Sequence, residues 1–178
     1  MPEYVFLDTE TTGLDDDAQV VEIAIVDATG TVLFESYCRP TVPVEPEAQR
    51  VHGIGPEVLA AAPAWPDIAD QVSEVLEGKR VVIFNSDFDI RILQQTATAH
   101  TDGMGREAYG AAVKWVLDLE TECAMCRAAD VYGATNQYGT ISLINAAAAA
   151  GIDFQGKAHS AAGDAATTAA LWRTMGHD

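Results

Sequence analysis

Asp8 and Glu10 stand two residues apart at the end of an apolar run, in "VFLDTETTGL" at 5–14. Side chains alternate between the two faces of a strand, so both carboxylates point the same way, toward the covered side. Two bare anions in that position repel each other. The pair is tolerated if one is protonated or if a cation lies between them, and oxygen ligands of this kind suit Mg²⁺ or Mn²⁺. Two further acids are placed to join them: "FNSDFDIRIL" at 84–93 sets Asp89 in the first turn of a helix that follows a strand, and "HSAAGDAA" at 159–166 sets Asp164 in the first turn of the last helix. The helix dipole favours an acid at such a position anyway, so each alone is a weak signal. Together they turn two carboxylates into four.

The elements that must position these acids follow from the hydrophobic periodicity. Residues 3–10, 20–30 and 31–40 read as three strands of a meander, the second ending in a Thr-Gly turn and the third closed by Pro40. Pro43, Pro46, Pro56, Pro63 and Pro66 then mark a loop-rich stretch, followed by a helix over 67–78 with Ile68, Val72, Val75 and Leu76 on one face. "RVVIFN" at 80–85 is a fourth strand, and the helix opening near Asp87 turns Phe88, Ile92 and Leu93 inward. "TAHTDGMGREAYG" at 98–110 reads as a polar, Gly-rich loop and a candidate mobile flap, with "KWVLDL" at 114–119 as a fifth strand. Helices are expected at about 120–131, at 142–150 with Ser142 as cap and Gly151 as stop, and at 160–175 from Ser160. A meander followed by alternating helices and strands implies an α/β fold, a mixed five-stranded sheet in the order 3-2-1-4-5 with strand 2 antiparallel and helices on its faces. Strand one is then central, where a rigid pair of carboxylates belongs.

The 178 residues are most simply one domain, 1–178, and the hydrophobic fraction of 48% and charged fraction of 21% are ordinary for a globular chain. No apolar run reaches the ~20 residues of a membrane helix, and "MPEYVF" lacks a secretory pattern, so a soluble, cytoplasmic protein with no membrane association is expected. Three cysteines then read as reduced thiols. The formal charge of −17, from 27 acidic and 10 basic residues, disfavours a grip on long duplexes, and Arg39, Arg50, Arg80, Arg91, Arg106, Lys114 and Lys157 are scattered along the sequence. If the substrate is nucleic acid, the contact should be short, with bound metal supplying much of the attraction. An acidity that serves only solubility would look the same in composition.

"DTETTG", "FNSDFDIRIL" and "HSAAGDAATTAAL", in that order and with "RVHGI" at 50–54 between the first two, resemble the three exonuclease motifs of the DnaQ-like (DEDDh) 3′-to-5′ exonucleases. The resemblance runs from residue 5 to about 173 and implies a ribonuclease H-like fold. It implies Asp8, Glu10, Asp89 and Asp164 as ligands of two divalent ions, Mg²⁺ or Mn²⁺, and His159 as general base. Asp87 falls at a variable position of the family. A base must be neutral to accept a proton, so activity should rise with pH through neutrality. The resemblance also implies that the turn of Thr11, Thr12, Gly13 and Leu14 binds the terminal nucleotide, Leu14 wedging against its base, that His52 forms a wall of the pocket, and that Asn85 and Ser86 line the cleft. Phe84 stands where many relatives have His, which leaves one polar contact of that cleft without its usual donor.

"CAMC" at 123–126 lacks further ligands for a structural metal and reads as two small core residues; Trp65, Trp115 and Trp172 read as packing residues. "LDDDA" at 14–18 would repel a long phosphate chain passing the turn. The leading expectation is a metal-dependent 3′-to-5′ exonuclease releasing nucleoside 5′-monophosphates from single-stranded or short nucleic acid, DNA more than RNA. The alternative is an exonuclease-fold subunit that mainly docks to a polymerase or another nucleic-acid-processing complex. A binding domain without catalysis fits poorly with a complete set of Asp8, Glu10, Asp89, His159 and Asp164.

Overall fold

Val5, Phe6 and Leu7 leave no solvent-facing side to the first strand, and the fold gives it none: β1 (Tyr4–Thr11) is the middle strand of five. The computed structural model describes residues 3–101 and 106–176. β2 (Val20–Asp27) pairs antiparallel with β1, and β3 (Val32–Tyr37) antiparallel with β2. On the other side β4 (Arg80–Ile83) and β5 (Glu120–Cys123) run parallel to β1, giving the order 3-2-1-4-5 that the sequence implied.

The prolines at 43–66 do more than break structure. Pro46 opens α1 (Pro46–His52) and Pro56 opens α2 (Pro56–Ala61), each in the first turn, where its fixed φ is already helical and its missing N–H is not needed. These two short helices replace the expected loop. α3 begins two residues before the expected start, at Trp65, and runs Trp65–Leu76; Asp67 accepts the Ala64 N–H at 2.9 Å and so caps it.

The fifth strand lies later than expected. Residues 106–117 form α5 (Arg106–Leu117), after α4 (Ser86–Ala99), and the strand follows at 120–123. "KWVLDL" carries enough branched and aromatic residues for a strand, but the buried positions are Val113 and Val116, three apart on one helical face. The expected flap at 98–110 is thus the end of α4 and the start of α5, and its centre, 102–105, lies outside the described residues. α6 (Ala124–Tyr132) begins later than expected for the same reason, while α7 (Leu143–Ala150) and α8 (Ala161–Thr174) carry the expected caps, Ser142 and Ser160.

Helices cover both faces of the sheet. Val5 and Leu7 pack with Ile68 and Val72 of α3, Ile92 and Leu93 of α4, and Val113 and Val116 of α5. Phe6 and Val82 pack on the other face with alanines of α6, α7 and α8 and with Trp172. The tryptophans pack as expected: Trp65 stacks on Trp115 with ring centroids 6.3 Å apart, and Trp172 lies beneath the Arg127 guanidinium, 4.9 Å from its ring centre. Trp172→Ala should therefore cost ~3–5 kcal/mol of stability, read as a lower urea midpoint with an unchanged slope. A loss below ~1 kcal/mol would contradict this packing. All three cysteines are free; Cys38 is buried, but Cys126 is exposed on α6, so it is not the core residue expected. No described helix is long and apolar enough to cross a membrane.

Candidate active site

The alternation of β1 sorts its last residues between two sides. Asp8 and Glu10 share the face of Phe6, which is covered by α8. Their cross-strand partners on β2 are Ala24 and Glu22. α8 begins against this end of the sheet, and Ser160 caps it by accepting the Gly163 N–H. Asp164 therefore lies in the first turn of α8. His159, just outside the helix, takes a left-handed conformation with φ 60°, and its backbone N–H donates to Asp164 Oδ1 at 3.1 Å. That bend turns the histidine back over the cluster: one donor atom each of Glu10, His159 and Asp164 lie within 4.8 Å of one another.

Asp89 arrives from the opposite layer. β4 ends beside β1, and Asn85, in a left-handed conformation at φ 72°, turns the chain into α4. Asp89, 2% exposed, is anchored to β1 by Thr9: its Oδ1 accepts the Thr9 N–H at 3.1 Å and the Thr9 hydroxyl at 2.7 Å. The residue between Asp8 and Glu10 thus ties the third acid to the first two.

The cluster has the electrostatics of a cation site. Burial, and then the charges of Asp89, Asp164, Glu10 and Glu22, hold the Asp8 carboxyl well above the usual range. Burial, followed by Asp164, Glu22 and Asp89, pushes Glu10 up to about 8. Asp89 rises to about 7 through burial, although its two bonds from Thr9 oppose the shift. Asp164 is raised by burial against the His159 N–H. Without a cation these acids hold protons that the unfolded chain would release. Glu10 then contributes stability that is complete below its ordinary 4.5 and is lost as pH rises toward about 8. The metal-free protein should accordingly melt at progressively lower temperature across that window, and saturating Mn²⁺ should flatten the slope, by thermal denaturation in EDTA and in metal. A metal-free melting point that climbs with pH would contradict the cluster's repulsion. An all-oxygen set of acids that repel in this way fits a hard divalent ion such as Mg²⁺ or Mn²⁺.

Glu22 is a fifth acid that the sequence reading passed over. It is 5% exposed, accepts the Ala161 N–H at 2.9 Å, and is raised by its burial. Its signal was available: a lone carboxylate inside the apolar run "VVEIAIV".

The turn after β1 is tightly built. Thr11 donates its hydroxyl to the Gly13 carbonyl at 2.8 Å, and the Thr12 hydroxyl and carbonyl accept from Gln19 N and Glu45 N at 2.9 and 2.7 Å. A methyl group on Gly13 would lie 2.5 Å from the Glu45 carboxyl carbon, so a larger residue there would have to displace that side chain. Leu14 is 72% exposed, and its carbonyl accepts from Arg91, which also holds the Asp15 carbonyl. His52 is buried; its Nδ1 accepts the Ile54 N–H at 2.9 Å, so the hydrogen of the neutral ring sits on Nε2, and burial, with Lys157 second, lowers its pKa. Thr11, Gly13, Leu14 and His52 line one cleft of about 370 Å³ together with Glu10, Val51 and Phe88. Asn85 and Ser86 are not among its lining residues. Ser86 is buried in the first turn of α4, near Cys123 at the end of β5. Glu45, Glu47 and Ala48 also line the cleft, and no pattern in the sequence singled them out.

Comparison with known proteins accords with this arrangement. Residues 5–172 match the RNase_T family, described as exonuclease. The uncharacterized exonuclease CP81 of Escherichia phage 186 is 36% identical over 169 residues, 93% of this chain and 84% of that protein. The DNA polymerase III subunit epsilon of Rickettsia conorii is 38% identical over 95 residues, 50% of this chain and 41% of that subunit, so the chain spans well under two thirds of its length. Among solved structures, exonuclease X in complex with 5′ overhanging duplex DNA superposes with a TM-score of 0.70 at 24% identity, covering 97% of this chain and 90% of that one. Escherichia coli exonuclease I in complex with a dT13 oligonucleotide gives 0.70 at 20% identity, covering 97% and 40%. At these identities the two structures attest the ribonuclease H-like fold, and the match from 5 to 172 spans every acid of the cluster: the chain belongs to the DnaQ-like exonuclease family.

Proposed function

We propose that the protein is a metal-dependent 3′-to-5′ exonuclease that removes nucleoside 5′-monophosphates from single-stranded or short nucleic acid, DNA more than RNA, acting as one exonuclease domain over 1–178. The observation that carries this reading is the convergence of Glu10, His159 and Asp164 within 4.8 Å beside Asp8. Asp8, Glu10, Asp89 and Asp164 would hold two divalent ions, Mg²⁺ or Mn²⁺, which when bound supply charge neutralisation and polarise the attacking water and the phosphate. His159 accepts the proton of that water through its imidazole; the backbone N–H given to Asp164 fixes where the ring starts from. The Thr11–Gly13 turn seats the terminal sugar, Leu14 packs on the terminal base, and His52, neutral in its buried position, walls the pocket. A terminal seat of this kind favours cleavage from an end.

The formal charge of −17 supports short or single-stranded substrates, since phosphates beyond the cleft meet acids such as Asp15, Asp16 and Asp17. DNA is put first because a matched relative is named as a subunit of a DNA polymerase; solved structures of this fold hold DNA in two cases and recognise an mRNA stem-loop in another. The relative named as a polymerase subunit keeps a second reading in view, in which the domain works mainly by docking to a polymerase or other complex. Product analysis separates these readings. With 5′-labelled single-stranded DNA, duplex DNA with a 3′ overhang and short RNA, in Mg²⁺, Mn²⁺ or EDTA, a metal-dependent ladder shortening from the 3′ end is expected. Failure of folded protein to cut any of them in either metal would favour the docking reading.

A further inference from the structure

Lys157 stands two residues before His159 on the loop that enters α8, and neither the acids nor the histidine explains it. Its ammonium reaches a residue that lines the cleft: Nζ donates to the His52 carbonyl, 3.3 Å away and 105 positions distant in sequence. The backbone beneath is fixed. The Lys157 carbonyl accepts the Ser160 hydroxyl at 2.8 Å, and Gly163 packs so close that a methyl group there would lie 2.3 Å from the same oxygen. A methyl on Gly53 would come 3.7 Å from Nζ, so the side chain lies along the glycine that ends α1. The residue is nevertheless exposed, and its charge is open to a ligand.

In a chain with 27 acids and 10 bases, the commitments of the cations matter. Arg50 pairs with Glu47, Arg80 with Glu120 and Glu122, and Lys114 with Asp118; Arg173 holds the Ala28 carbonyl. Lys157 also rests on a carbonyl, as Lys79 does on Val75, Arg91 on Leu14 and Asp15, and Arg127 on Met175, but it does so beside the acids of the site. Its field reaches Glu10, Glu22 and His52, yet no ion pair within 4.0 Å includes it among the described residues. It is a cation held beside a cluster of acids and resting on a neutral carbonyl by one long bond, so it can exchange that partner for a charged one. A phosphate oxygen is a stronger acceptor for an ammonium than a carbonyl.

We infer that Lys157 is a phosphate-binding residue of this site: its ammonium leaves the His52 carbonyl for a non-bridging oxygen of the phosphate nearest the 3′ end, and of the 5′-monophosphate released. The assignment rests on the exonuclease reading above and adds to it the residue that contacts the phosphate directly. It also accounts for how a chain of such acidity engages a polyanion, since one fixed cation lies where the charge of the substrate arrives.

The test compares wild type with Lys157→Met and Lys157→Arg. On a labelled oligothymidylate, Lys157→Met should raise KM about tenfold, and weaken inhibition by thymidine 5′-monophosphate to a similar degree, while kcat changes by less than about threefold. The salt dependence of oligothymidylate binding, followed by anisotropy, should become shallower by ~0.7, the loss of one phosphate contact to a single strand. Lys157→Arg should recover most of each effect. Unchanged KM, product inhibition and salt slope in Lys157→Met would overturn the assignment. A variant that lost melting temperature and kcat but kept the wild-type salt slope would overturn it too, leaving Lys157 as a mechanical tie between two loops. If wild type cleaves nothing, the exonuclease reading fails on its own, and anisotropy still decides about Lys157: a shallower slope in Lys157→Met supports it, an equal slope refutes it.

Discussion

Replacing Asp8 by Asn should lower exonuclease turnover by ~10³-fold or more and remove the stabilisation that Mn²⁺ gives the folded protein. The reason lies in where Asp8 sits. It occupies the central strand, and its carboxyl feels Asp89, Asp164, Glu10 and Glu22 at once, more partners than a peripheral acid would meet. Asn keeps the shape and removes the charge. In EDTA at pH 8 the variant should melt at a higher temperature than wild type, since one repelling carboxylate has gone, whereas in Mn²⁺ the order should reverse. This gain of stability with loss of function is the behaviour of a site held against its own repulsion. Thermal melts in both conditions, with turnover measured on the same preparation, check the prediction. A variant that kept either its turnover or its Mn²⁺ response would remove Asp8 from the metal site.

His159 should separate catalysis from metal binding. Because its backbone has φ 60°, a substitute must accept the left-handed region, and Asn does so at less cost than most residues. His159→Asn should keep the N–H that Asp164 accepts, and with it the start of α8, but it has no imidazole to take a proton. Turnover should fall by ~10²–10⁴-fold while the Mn²⁺-induced rise in melting temperature stays close to that of wild type. An equally active His159→Asn would end the general-base assignment, and a lost Mn²⁺ response would make His159 a ligand.

Particular residues show how far the sequence could be read. Asp8, Glu10, Asp89 and Asp164 each carry a local signature, an acid at a strand end or in a first helical turn, and the resemblance of their ordered motifs to a known family joined them into one expected site. Ser142 and Ser160 were legible as caps because capping is local chemistry between neighbours. The fifth strand was not. "KWVLDL" suits strand and helix almost equally, and the choice fell to which residues meet the rest of the core, with Val113 and Val116 buried on one helical face. Pro46 and Pro56 were read as punctuation although a proline is equally at home in the first turn of a helix. Asn85 and Ser86 were carried over to the cleft by resemblance, but its lining does not include them: from the start of α4 it takes Phe88.

The sequence by itself determined the acids, their order and the central strand that bears two of them, because alternation and capping act over a few residues and leave a readable pattern. Tertiary structure alone decided how those groups face one another. Thr9 holds Asp89 across 80 positions, and Lys157 reaches the carbonyl of His52 across 105. The left-handed turn at His159 folds it over Asp164. The raised pKa of Glu10 is likewise a property of the assembled cluster, since burial and Coulomb repulsion depend on distances that only the folded sheet and α8 set.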